Sequence, residues 1–233
     1  MIILRLKYKK EGNMKFLSHL ELIKAIERVF RRMHLPMDFS KGFSPKPKIN
    51  YAAPLPVGVS SECDYLDVEL LEKIDINHFI KIHEKFMPRG LIFLEGKYYK
   101  STKSLMSMVT DSAYEIELDT QSLYKIEDVK TWLNEFLALD TITYEKLNKK
   151  NKMIIVDIKP LIQEMEVLSV EANKIKFRVL VTTGSNGNLK PEKLMSMFVE
   201  MFKIDVLAFS EQYKRLALFT RDKENNLVTF FEV

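Results

Sequence analysis

Lys24, Arg28, Arg31 and Arg32 follow i, i+4, i+7, i+8 spacing, and shortly after them Lys41, Lys46 and Lys48 surround Phe43. On a helix the first four share a face, where their charges can neutralise phosphates of a polyanion. In the loop, Pro45 and Pro47 restrain the backbone, so the lysines are presented at reduced ordering cost. Phe43 has two readings, as a ring that stacks on an unpaired base or as a core plug beneath a turn. The helix face also has two, a nucleic-acid surface or an ordinary solvated face, and the adjoining basic loop favours the first. No helix-turn-helix or zinc finger is evident, so the expected nucleic acid is RNA ahead of DNA.

Charge distribution points the same way. Residues 1 to 50 hold twelve Lys or Arg against four Asp or Glu, a net of +8, whereas the whole chain of 233 residues is only +4. The rest is therefore acidic on balance, and a positive field concentrated at one end suits a polyanionic partner.

Catalytic and metal signals are weaker. His19 follows Ser18 directly, but adjacent residues do not face one another in a helix, and Ser18 has the position of a cap. His19 is the one weak catalytic candidate, with a structural hydrogen-bonding role as its principal reading. His78 and His83 lie five apart, off the i, i+4 spacing that lets two imidazoles share a metal. Asp67 and Glu69 share a strand face with no His tied to them, and Asp64 lies three residues away, so no metal is expected. The loop Gly184 to Asn188 lacks the Gly-Lys-Ser/Thr ending of a phosphate loop. Cys63, the single cysteine, excludes an internal disulfide and a self-contained iron–sulfur cluster. No cofactor is expected, and the chain reads as non-catalytic.

The elements that position these residues follow from periodicity. The spacing predicts a strand over Ile2 to Lys9 and a helix over His19 to His34, with Ser18 and Glu21 as a capping box and Pro36 beyond its end. Leu22, Ile26, Val29, Phe30 and Met33 form its apolar stripe. Strands over Ile49 to Ala53 and Asp64 to Leu70, a helix over Asp75 to Phe86 and a strand over Leu91 to Tyr99 complete a βαββαβ order, that of a split-βαβ, ferredoxin-like domain. Residues 1–100 are thus expected to form a basic module, 101–112 a linker, and 113–233 a second α+β module. In the latter, helices are predicted over Leu123 to Leu139 and Pro191 to Phe202. A hairpin is predicted over Thr141 to Ile158, and a last strand over Tyr213 to Thr220. The fold class is α+β, with tandem ferredoxin-like modules and antiparallel sheets. No apolar run approaches the ~18 residues needed to span a membrane, and the first nine residues alternate apolar with basic rather than forming a signal peptide, so a cytoplasmic protein is expected.

Phe16-Leu17-Ser18-His19-Leu20, Ala25-Ile26-Glu27-Arg28, Leu35-Pro36, Gly42-Phe43-Ser44-Pro45-Lys46-Pro47-Lys48-Ile49 and Pro54-Leu55-Pro56-Val57-Gly58-Val59 closely resemble the signature of the radical SAM-linked protein family. Its members are uncharacterised bacterial proteins encoded beside a radical SAM protein or fused to its C-terminus. The resemblance covers about residues 2 to 220, weakening after 100. It implies a radical SAM partner that carries the cluster chemistry and leaves the reaction open. Charge and resemblance together lead to an RNA-binding accessory protein in RNA or ribonucleoprotein modification. The rivals are a stand-alone metal-independent RNA-processing endonuclease of tandem ferredoxin-like type and a purely protein-binding scaffold.

Overall fold

The computed structural model describes residues 2–100, 103–148, 150–185 and 187–232. In chain order the main elements are β1 (Ile2–Lys10), α1 (His19–Arg32), β2 (Ile49–Tyr51), β3 (Ser60–Leu70), α2 (Ile76–Ile82), β4 (Leu91–Tyr99) and α3 (Leu105–Met108). They continue as β5 (Asp111–Asp119), α4 (Ile126–Ala138), β6 (Thr143–Leu147), β7 (Met153–Asp157), β8 (Ile162–Glu171), β9 (Lys174–Thr182), α5 (Pro191–Phe202), β10 (Gln212–Arg221) and β11 (Leu227–Val228). The structure is mixed α+β, rich in antiparallel pairing.

The chain forms two compact units, residues 1–110 with 214–233, and residues 111–213. The expected first module ends at residue 100, with the C-terminal strand in the second. The structure instead returns residues 214–233 to the first unit, because β10 pairs in parallel with the start of β3, Lys214 beside Ser60 and Arg215 beside Ser61. A parallel pairing between such distant segments leaves no local periodicity to read. Of the expected linker, Ser101 and Thr102 lie outside the described residues, while Leu105 is fully buried at the start of α3.

In the first unit β1 is central, antiparallel to β3 on one side and β4 on the other. β2 adds to β3 at Ile49–Tyr51. One sheet face packs Leu4, Leu6, Leu66 and Val68 against Ile26, Phe30 and Phe79 of the two helices. The other packs Cys63 and Tyr65 against Leu105, Leu218 and Phe230. β3 is thus buried on both sides, and its polar positions must find partners inside. Arg5 and Asp67, opposite one another in the β1–β3 register, do so through two bonds of 2.7 and 2.8 Å, and Arg5 also donates to the Phe230 carbonyl at 3.0 Å.

In the second unit β9 lies between β5 and β8, both antiparallel to it. Phe177 of β9 meets Phe198 of α5 edge-on at 5.5 Å, Phe198 meets Phe136 of α4 likewise, and Trp132 stacks on Phe202 at 5.8 Å. The hairpin β6–β7 forms where the sequence places it. Asn186 of the predicted loop lies outside the described residues.

Candidate nucleic-acid interface and an adjoining polar cavity

α1 starts where its cap dictates. The Glu21 amide donates to the Ser18 hydroxyl at 3.4 Å, and the Ser18 amide donates to the Glu21 carboxylate at 2.8 Å, so both halves of the capping box are made. Leu22, Ile26, Val29 and Phe30 turn into the core, which forces Lys24, Arg28, Arg31 and Arg32 outward, and all four are exposed. The helix ends at Arg32, and His34 takes a left-handed conformation at φ 53° before Pro36.

Three of these cations border an open groove of about 660 Å3. Its floor and far wall are Ala25 and the segment Phe86, Met87 and Pro88, and Lys85 adds a fourth cation. Arg32 fixes the wall by donating to the Phe86 carbonyl at 2.7 Å. Lys85 is not legible as part of the basic face because it lies in a separate short turn after α2. The only available signal was the basic, Pro-containing run Lys85-Phe86-Met87-Pro88-Arg89.

The loop residues behave differently from one another. Ser40 and Lys46 close the tip, the Ser40 amide donating to the Lys46 carbonyl at 2.9 Å and the Lys46 amide to the Ser40 hydroxyl at 3.0 Å. Lys41, Phe43 and Lys46 are exposed, and Phe43 is fully so, which sets aside its reading as a core plug. Arg31 lies over the Phe39 ring, 5.5 Å from its centroid, and so connects the helix to the base of the loop. Lys48 is committed elsewhere, to Asp38 at 2.6 Å and Glu69 at 3.2 Å. The Lys48 hydrogen bond, followed by one from the Phe39 amide, lowers the Asp38 pKa, and the two carboxylates raise that of Lys48. Seven of the eight expected contact residues are therefore presented to solvent, and Lys48 is neutralised within the fold.

A second constellation was not legible in the sequence. Tyr8 and Lys10 of β1, Tyr51 of β2, Asp64 of β3 and His19 of α1 line a cavity with free volume of about 10 Å3. Arg215 of β10 donates to the Asp64 carboxylate and, at 2.9 Å, to the Ala53 carbonyl. The His19 ring meets Tyr51 edge-on at 5.4 Å, and burial lowers its pKa. Burial likewise lowers that of Lys10 and raises those of Tyr8 and Tyr51. His19 therefore belongs to this wall and not to a Ser–His pair. His83 is structural: its Nε2 accepts from the Phe93 amide at 3.0 Å, which leaves Nδ1–H to donate to the Ile80 carbonyl. His78 is exposed. Asp64, Asp67 and Glu69 are each engaged by a different cation. Among the described residues no three His, Cys, Asp or Glu are grouped to hold a metal, and no helix is long and apolar enough to cross a membrane.

Comparison with known proteins gives one family and a set of folds. Residues 4–191 match the family DUF2344, described as an uncharacterised protein conserved in bacteria. No curated protein matches the chain. Among solved structures, a chain of a Cbf5–Nop10–Gar1 complex superposes with a TM-score of 0.54 at 11% identity, covering 98% of this chain and 52% of that one. An archaeal box H/ACA sRNP Nop10–Cbf5 complex gives 0.49 at 10% identity, covering 91% and 46%. An H/ACA RNP bound to a substrate RNA containing 2′-deoxyuridine gives 0.49 at 12% identity, covering 99% and 51%. The chain thus spans about half the length of these three chains. At such identity the first likeness is one of fold.

Proposed function

We propose a function from one premise, that the chain belongs to the DUF2344 family of proteins conserved in bacteria. It is an RNA-binding accessory protein that acts in the cytoplasm with a radical SAM enzyme, in modification of an RNA or a ribonucleoprotein. The observation that carries this reading is the groove in which Arg28, Arg31, Arg32 and Lys85 surround an apolar floor. Four cations around one groove set up the positive field that a phosphate backbone follows, and the exposed Phe43 beyond Arg31 and Phe39 offers a face for an unpaired base.

In this reading each unit is a variation on the ferredoxin-like module. The β4–β1–β3 order with α1 and α2 on one face supports this for the first unit. The first unit holds RNA, and the second docks the enzyme. The radical SAM partnership rests on the sequence resemblance alone.

Photo-crosslinking of the full chain to single-stranded RNA, followed by peptide mapping, tests the RNA assignment. Crosslinks are expected on α1, on the Phe43 loop and on residues 85–88. Crosslinks confined to the second unit, or none, would overturn the reading in favour of a protein-binding scaffold.

A further inference from the structure

Lys10 and Tyr51 are buried polar side chains that the fold leaves unanswered. Lys10 is 1% exposed, and its ammonium makes no hydrogen bond or ion pair among the described residues. The anion acting on it, Asp64, is already held by Arg215. Tyr51 is 9% exposed, and its hydroxyl is buried without a partner. Both residues line the same cavity.

Folding alone does not call for this arrangement. Buried polar groups almost always find partners, and apolar residues of like volume in place of buried charges are commonly neutral or stabilising. Here Tyr8, Lys10, Tyr51, Asp64 and His19 arrive from four separate elements at one point. The chemistry of the unanswered groups defines what would complete them. An ammonium only donates, and a phenol donates readily, so both call for an acceptor, and the cation calls for a negative one. Size sets a second limit: a free volume of about 10 Å3 admits a single oxygen-sized atom. His19, Leu55 and Pro54 line the cavity and retain solvent exposure, so the ligand's body has room on that side.

We infer that this cavity binds one anionic oxygen of a phosphate or carboxylate group, held by Lys10 and Tyr51, with the remainder of the ligand lying beside His19. The inference is independent of RNA binding in the arginine groove, whose residues do not line the cavity.

The test titrates the full chain with inorganic phosphate and, separately, with acetate at constant ionic strength, following the His19 ring resonances and the melting temperature. Saturable shifts with a rise in melting temperature are expected for at least one anion, and the tighter of the two identifies the source. Lys10→Met and Tyr51→Phe are each expected to weaken that binding about tenfold or more, while Arg28→Gln leaves it unchanged. Tyr51→Phe removes one unpartnered atom, so it decides the matter should Lys10→Met fail to fold. A response that never saturates, equal affinity in Tyr51→Phe, or no response to either anion, which would mean a resident water only, overturns the inference.

Discussion

Replacing Arg28, Arg31 and Lys85 together by Gln removes three of the four groove cations while sparing Arg32, whose bond to the Phe86 carbonyl holds the wall in place. Each neutralised phosphate of a single strand contributes ~0.7 to the log–log dependence of affinity on salt. If each of the three contacts one phosphate, the slope should flatten by about 2, and a fourfold rise in salt should cost the variant roughly 20-fold less affinity than it costs the parent. The assay is fluorescence anisotropy with single-stranded RNA across a salt series, with urea unfolding to show that the fold survives. It should survive, since Arg28 and Arg31 face away from the Leu22, Ile26, Val29 and Phe30 stripe and Lys85 is exposed. Lys48→Gln is the internal control. Its charge is already answered by Asp38 and Glu69, so the slope should stay at the parent value. A triple variant with the parent's slope, or a Lys48→Gln slope flattened as much as the triple, would refute the assignment of the groove.

Asp67→Ala should destabilise the protein by about 3 to 5 kcal/mol in urea unfolding, because it strands the fully buried Arg5 guanidinium, while Arg5→Met with Asp67→Leu should recover most of the loss; a loss under ~1 kcal/mol for the single variant would show that the pair is not desolvated. Ser18→Ala should cost ~1 kcal/mol through the lost cap and leave RNA affinity unchanged, so a fall in affinity at unaltered melting would make Ser18 functional instead. For His19, burial places the folded pKa below the unfolded value, so the unfolded chain takes up the proton first. Its contribution to stability is complete above pH ~6.5 and is lost as pH falls through the folded pKa; His19→Asn should remove that part of the acid slope in melting temperature, and a ring titration midpoint above 6.5 would contradict the sign.

Phe43 shows where local information stopped. Its neighbours Pro45 and Pro47 announced a restrained basic loop, and the loop is there, but whether the ring points inward or outward depended on what the sheet leaves uncovered. The pairing of Lys48 with Asp38 and Glu69 is similar: the charge was readable, whereas its neutralisation depends on where the end of β3 lies. α1, in contrast, was legible almost to the residue, from the Ser18 cap to the apolar stripe, because caps and 3.6-residue periodicity act within a few residues of one another. The same holds for the hairpin β6–β7 and for α5 beginning at Pro191. Lys85 joined the groove only because the segment after α2 lies beside α1, and Arg215 reached Asp64 only because β10 runs beside β3 at a separation of 151 residues. The sequence by itself determined the helix faces, the strands and the sign of the field at one end of the chain, all short-range properties. Tertiary structure decided which charges remain free, which are answered, and that Lys10 and Tyr51 share one cavity, because burial and pairing depend on surfaces that segments distant in sequence supply.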